Sequence, residues 1–425
     1  MENKILTFDD LHDTDFDKLT INEQWNYEYE IEHKMHHIHA YPAKFPAFIT
    51  RKALQIVKNK NFHVNTVADI FCGCGTTAYE ASRNGKNFWG CDINPVATLI
   101  AKVKSGTYKQ GMLDKYFLEI INLFDTSTVE KETLTDINER ISYWFHNQQI
   151  EELSKLKSAI YKSTPEQSKY RKFFLCAFSN ILKSTSKWLQ KSIKPTIDPN
   201  KKIISVRDAF HKQFTSMKKA NIDNSRPKGV RVEIEINNFM NNRPRKKIDL
   251  LVTSPPYVTS YEYADLHQLS LLWLGFTEDF RDFRSGSVGS LHHNSDFDKN
   301  KSQLNKTGNL NVSRLWKVDK HRAKNAAKYF VDMQKVIQKS HKLLNTGGYA
   351  LFVIGNTEYK QVRIDNAKHL TESMLMAGYK EIEVSKRKIS NKFLTPYRDK
   401  SGKFTSDKNS RKIYAEEFVI IGRQQ

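Results

Sequence analysis

Cysteine is scarce in this chain, with four in 425 residues: Cys72, Cys74, Cys91 and Cys176. That is too few for a disulfide framework, and Cys72-x-Cys74 with Cys91 finds no His or Cys partner at zinc-finger distance, so the thiols read as small core residues. Long apolar runs are missing too. Nothing is long enough to span a bilayer, and the polar, acidic start Met1-Glu2-Asn3-Lys4 does not read as a signal peptide, so a cytoplasmic protein without membrane contact is expected. Acidic residues are the third shortage: 47 Asp and Glu face 68 Lys and Arg, a net charge of +21. Such an excess favours a polyanionic partner, nucleic acid first and an anionic membrane surface second. Aromatic content of 12% separates the chain from disordered basic proteins. The length supports one large α/β domain with insertions, and no internal repeat is visible.

What the sequence does contain centres on Asp249-Leu250-Leu251-Val252-Thr253-Ser254-Pro255-Pro256-Tyr257. The apolar run reads as a buried strand, and Ser254-Pro255-Pro256-Tyr257 breaks it. Neither proline nitrogen can donate, and each ring fixes its own φ while holding the preceding residue extended. The result is a stiff strand tip with free carbonyls, a small hydroxyl and a flat ring. Such a tip suits a planar ligand bearing an exocyclic amine, although an ordinary Pro-Pro turn has the same spelling.

Taken in order, residues 1–32 are a polar extension with Trp25 and Tyr27 as anchors. The segment His33 to Pro46 is rich in histidine but lacks a second carboxylate or cysteine cluster, so packed or solvated histidines are favoured over a metal site. Phe48–Val57 has helical spacing with a start signal at Thr50. Asn65–Phe71 reads as a strand running into Cys72-Gly73-Cys74-Gly75-Thr76-Thr77, with a helix over Ala78–Arg83. Glycines at such a turn let the backbone approach a ligand closely, and the helix N-terminus offers unpaired N–H groups. Asn87–Asp92 is a second strand ending in an acid, the layout in which a carboxylate holds ribose hydroxyls. From Met112 to Met217 apolar stripes at helical spacing (Leu113, Phe117, Ile120; Ile150, Leu153, Leu156; Phe173, Ala177, Ile181) form an inserted helical subdomain. Val230–Ile236 alternates and returns to the sheet; Tyr261–Leu274 reads as a helix. Thr277 to Lys324 is polar and reads as a long loop. Tyr329–Leu344 is an amphipathic helix stopped by Asn345-Thr346-Gly347-Gly348, and Tyr349–Ile354 is a buried strand. Ile382–Val384 and Glu417–Ile421 pair as a closing hairpin. Between them Lys386-Arg387-Lys388 and the run to Lys412 form a basic surface interleaved with Phe393, Tyr397 and Phe404, a nucleic-acid pattern.

Together these pieces resemble the amino-methylating DNA methyltransferases that use S-adenosyl-L-methionine. Asp69-Ile70-Phe71-Cys72-Gly73-Cys74-Gly75-Thr76-Thr77 is similar to their cofactor loop, Gly90-Cys91-Asp92-Ile93-Asn94-Pro95 to the strand end that holds the ribose, and Thr253 to Tyr257 to their catalytic motif. Leu344 to Gly348 resembles the helix-turn that follows it. His39-Ala40-Tyr41-Pro42-Ala43-Lys44-Phe45 resembles a stretch that binds the cofactor's methionine end. The match spans roughly residues 33–105 and 230–425. It implies a Rossmann-like α/β sheet with helices on both faces and an inserted helical subdomain. The implied divisions are 33–105 for the cofactor half, 106–228 for the insert as candidate target-recognition region, and 229–425 for the catalytic half with DNA-contacting loops 277–328 and 386–412. Cofactor contacts are then expected from Tyr41, Lys44, Phe45, Asp69, Phe71, Gly73, Gly75, Thr76, Thr77, Asp92, Ile93 and Asn237. Asn237 stands where the family usually has an acid touching the adenine. Phosphate contacts are expected from Lys386, Arg387, Lys388, Lys392 and Arg398.

The chemistry follows from the residues. An exocyclic amine is a poor nucleophile because its lone pair is delocalised into the ring. Ser254 and the Pro255 carbonyl can accept its two N–H bonds and localise that pair, and Tyr257 can stack on a base flipped from the duplex. Methylation of a cytosine carbon needs a thiolate after a proline, and no cysteine here follows one. Serine at the first motif position accompanies N4-cytosine in the family, whereas Asp or Asn accompanies N6-adenine. The expectation is therefore an N4-cytosine enzyme on double-stranded DNA, monomeric, with a cognate restriction endonuclease sharing its site. The alternatives are an N6-adenine enzyme, an RNA base methyltransferase, or a catalytically dead nucleic-acid-binding protein.

Overall fold

The computed structural model describes residues 5–26, 30–128, 137–192, 194–258, 263–284, 288, 296–389, 397–398, 404–405, 407, 409–412 and 415–425. Its main sheet has eight strands, numbered along the chain: β1 (Ile5–Leu6), β2 (Thr66–Asp69), β3 (Asn87–Asp92), β4 (Val232–Ile236), β5 (Ile248–Thr253), β6 (Leu344–Ile354), β7 (Lys380–Lys388) and β8 (Glu416–Arg423). Their spatial order is β1-β7-β8-β6-β5-β2-β3-β4. The five strands from β6 to β4 run parallel, and β8, β7 and β1 close the sheet antiparallel. The chain fills one side first, β2 to β3 to β4, and then returns to lay β5 on the other side of β2. In such sheets ligands bind outside the strands' carboxyl ends where the order reverses. Here that place lies between β2 and β5.

Alternate residues of the central strands feed two cores. Val67, Leu250, Val252, Leu351 and Val353 pack with Ala47–Asn59 and Thr76–Arg83, while Ala68, Leu251, Ala350, Phe352 and Ile354 pack with Lys320–Leu343 and Asn366–Ala377. Strands covered on both faces are apolar on both, which is why they read as continuous runs. The expected α/β sheet with helices on both faces is present. The helices Gln110–Thr126, Glu139–Trp144, Asn147–Ser163, Lys169–Ile181 and Val206–Ala220 form a third core. That core also takes Val96, Leu99 and Ile100 from the helix after β3 and Leu269, Leu271 and Trp273 from beyond β5, so the insert is fused to the sheet.

Several expectations are corrected. The helix expected to start at Thr50 begins at Ala47, directly after Pro46. The polar stretch from 277, with the DNA-contacting loop drawn to 328, carries helices at Phe297–Ser302 and Lys306–Trp316, and Lys320–Leu343 starts inside it. Its polarity conceals a buried network: Asn305 and Thr307 are buried, and the Glu372 carboxylate accepts from the Lys306 and Thr307 amides at 3.0 and 2.9 Å. Polar side chains that satisfy one another inside the fold look like solvent-facing ones in a sequence. The closing hairpin is present and longer than expected, pairing Glu417 with Arg387 and Glu416 with Lys388.

Candidate active site

The cofactor loop leaves the tip of β2. Asp69 is buried, and its Oδ1 accepts from the Phe71 amide at 3.1 Å and from the Thr253 hydroxyl, at the tip of β5, at 2.6 Å. Burial pushes its carboxyl up to about 6. One hydrogen bond thus joins the strand of the glycine loop to the strand of the proline turn. Gly73 (φ +49°) and Gly75 (φ +76°) occupy left-handed backbone. Gly75 caps the helix Thr76–Arg83, and a Cβ there would lie 2.5 Å from that of Ala101, so glycine is required both for conformation and for the close approach of the helix Pro95–Lys104. Thr76 and Thr77 are buried in the first turn of the helix that Gly75 caps, and Phe71 is half-buried. Asp92 at the tip of β3 accepts from the Gly73 amide at 2.8 Å and the Asn94 amide at 2.9 Å, and burial raises its carboxyl. Ile93 is half-buried beside it, and the exposed Asn237 follows β4, its amide donating to the Asp92 carbonyl at 3.0 Å.

A wall of rings faces the loop. The Tyr41 hydroxyl lies 3.5 Å from where a Gly73 Cβ would stand, and its ring stacks on His267 at 5.1 Å and on Tyr263 at 6.5 Å between centroids. Burial raises the Tyr41 phenol and drives His267 down to about 3, leaving a neutral imidazole whose buried Nε2 has no partner among the described residues. A carboxylate at a strand tip, a close-approach glycine loop and electron-rich ring faces fit the ribose and sulfonium of S-adenosyl-L-methionine.

The Ser254–Tyr257 turn continues β5, next to the glycine loop because β5 pairs with β2 (Val67 with Leu250, Ala68 with Leu251). The Pro256 carbonyl accepts from the Tyr329 hydroxyl at 2.9 Å. Among the described residues the Ser254 hydroxyl and the Pro255 carbonyl have no partner, so the turn presents two adjacent acceptors. The Tyr257 ring lies against Gly355, where an added Cβ would meet its Cε2 at 3.2 Å.

Residues 7–103 match the N6/N4 methyltransferase family model, described as DNA methylase. The type II methyltransferase M.MvaI of Kocuria varians is 24% identical over 387 residues, 84% of each chain. The type II methyltransferase M.BsoBI of Geobacillus stearothermophilus is 24% identical over 260 residues, 54% of this chain and 51% of its own. The chain is thus similar to the amino-methylating DNA methyltransferases, over its first quarter by the family model and over most of its length by a relative. S-adenosyl-L-methionine is the cofactor of that family. Among solved structures, the rRNA methyltransferase aviRa of Streptomyces viridochromogenes covers 80% of this chain and 92% of its own at 8% identity and TM-score 0.26, too weak a likeness to bear on the fold.

Other residues singled out in the sequence make contacts of their own. Lys44 is ion-paired with Glu32 and packs over the His36 carbonyl, and Phe45 joins the core beside Phe48. His36 is buried against Glu80 at 2.7 Å. Lys386 and Arg387 are corrections to the basic surface: at 7% and 2% exposure they lie inside the sheet, Lys386 bound to the Asp17 carbonyl and Glu416, Arg387 paired with Glu417. Lys388 is exposed; Lys392 and the Arg398 side chain lie outside the described residues. No sequence pattern marked Tyr263, His267, Tyr329 or Glu417 as neighbours of the site. Among the described residues no helix is long and apolar enough to cross a membrane.

Proposed function

We propose that this chain methylates the exocyclic N4 of cytosine in duplex DNA at a specific sequence, on a base flipped out of the helix. The observation that carries this is the proline turn at the tip of β5, with two acceptors unpartnered among the described residues, beside the glycine loop at the tip of β2. Bound S-adenosyl-L-methionine supplies an electrophilic methyl on sulfur. Asp92 would hold the ribose hydroxyls, the Gly73–Gly75 loop and the rings of Tyr41 and Tyr263 would orient the methionine end, and Ile93 and Asn237 would flank the adenine. Ser254 Oγ and the Pro255 carbonyl accept the two N–H bonds of the amine, which turns its lone pair out of conjugation toward the methyl donor. The Tyr257 ring stacks on the flipped base, replacing the stacking lost on leaving the duplex.

The serine at the first motif position favours cytosine; the second reading is N6-adenine, which offers the same kind of amine. Nucleoside mass spectrometry of DNA from cells expressing the protein separates them: N4-methylcytosine is expected, N6-methyladenine moves the reading to adenine, and label found only in RNA defeats it. Ser254→Ala should abolish turnover and leave cofactor binding intact.

The duplex approaches over the helical stretch 297–324 rather than over Lys386 and Arg387. Between 299 and 324 there are eight Lys and Arg against one acid, Asp319. Lys299, Lys301, Lys306, Lys317, Lys320 and Lys324 are exposed. Leu315 and Arg322 line one cleft with Val258, the residue after Tyr257, so this cationic face borders the catalytic turn. Base recognition falls to the insert 106–228. The likeness to type II methyltransferases supports a cognate restriction endonuclease that acts on the same site without stable binding, and a monomer suffices to flip and methylate one base.

A further inference from the structure

We propose that Glu417, anchored by the buried guanidinium of Arg387, is a positioning residue that fixes the Tyr257 ring. The inference rests on the reading of Tyr257 as the ring that stacks on the target base. Arg387 and Glu417 are direct cross-strand partners on β7 and β8, and Arg387 Nη1 lies 3.1 Å from Glu417 Oε1. The other carboxylate oxygen, Oε2, accepts from the Tyr257 hydroxyl at 3.4 Å. Behind the pair, the Arg387 guanidinium sits over the Phe48 ring at 5.1 Å from its centroid. Arg387 is 2% and Glu417 8% exposed.

An ion pair this buried adds little to stability, since two well-packed apolar residues commonly do as well. What it does add is an acceptor that cannot swing away from the phenol. Tyr257 has two rotatable side-chain bonds. Gly355 beneath the ring restricts one and the carboxylate restricts the other, so the ring face is held ready before a base arrives. Burial and the neighbouring Glu417 both raise the Tyr257 phenol, which keeps its proton available for donation. The two cations that look most like a nucleic-acid contact in the sequence thus include one that serves the base-stacking ring from behind.

The test is a double-mutant cycle on kcat with saturating DNA and cofactor. Replacing the pair together (Arg387→Met with Glu417→Leu) keeps the site uncharged, and loss of a hydrogen bond to a charged group should lower kcat about tenfold. Combined with Tyr257→Phe, which has already lost the hydroxyl, the same replacement should lower kcat no further. Should that variant fail to fold, Glu417→Asp runs the same cycle, because it withdraws the acceptor while leaving a charge for Arg387. Cofactor affinity should stay at the parent value throughout. Equal losses in the parent and in the Tyr257→Phe background would mean that the pair is merely structural and would overturn the proposal. Full turnover by Tyr257→Ala would instead remove the base-stacking reading itself, so the two failures are distinguishable.

Discussion

A methyl group added at Gly75 would stand 2.5 Å from the Cβ of Ala101 and 2.7 Å from its Cα. The Cα is backbone within the helix Pro95–Lys104, so no rotamer change can relieve the clash. Alanine at this φ of +76° also adopts the left-handed region, at about 1–2 kcal/mol. Overpacking a close-packed interface costs about 1–3 kcal/mol more. Gly75→Ala should therefore lose about 2–5 kcal/mol, a large part of the roughly 5–15 kcal/mol that holds a typical protein folded. Gly73→Ala is the internal comparison. Its φ is also left-handed, but the nearest atoms the added carbon would meet belong to the Tyr41 side chain, at 3.5 Å and beyond. It should lose only the conformational cost of about 1–2 kcal/mol. Its methyl would, however, stand between Tyr41 and the loop, where the cofactor is expected to lie. Urea denaturation of the apoprotein should thus penalise Gly75→Ala more, and calorimetric titration with cofactor should penalise Gly73→Ala more. Equal stability losses, or a Gly75→Ala protein within about 0.5 kcal/mol of the parent, would refute the close-approach argument.

Acid should destabilise the fold well above the ordinary carboxylate range. Burial lowers His36 and His39 to about 4 and His267 and His369 to about 3, from 6.5 in the unfolded chain. Depressed folded values mean that the unfolded chain takes up protons the native sites refuse, so stability is full above pH 6.5 and is lost as pH falls toward 4. Asp69, raised to about 6, acts in the opposite sense between pH 6 and 4. Its share is about 3 kcal/mol against about 3 kcal/mol for each of His36 and His39 and about 5 kcal/mol for each of His267 and His369, so the histidines prevail. Urea midpoints measured from pH 7 to 4.5 should fall, and a flat profile would contradict the burial of these rings. Reversing charge at Lys317 and Lys320 should weaken DNA binding and reduce the slope of log K against log salt by about 0.9 for each phosphate that the variant no longer neutralises. A slope unchanged by both substitutions would move the duplex to another face.

The sequence by itself determined the buried strands, the glycine loop, the proline turn and the acid that ends β3. These are local matters: a strand covered on both faces must be apolar throughout, left-handed turns want glycine, and two prolines stiffen a strand end whatever surrounds them. Chain order of the motifs was legible for the same reason. Tertiary structure alone decided that β5 returns beside β2, so that Thr253 bonds Asp69 and the two turns share one edge. It also decided the fate of charge. Arg387 looks like a phosphate contact until the antiparallel register of β7 and β8 sets Glu417 opposite it and Phe48 beneath it. The polar run from 297 to 316 looks like solvent-facing loop until Glu372, far along the chain, accepts its first helical amides. A residue's charge and polarity are fixed by its side chain, but whether water or a distant partner answers them depends on packing, which no local pattern encodes.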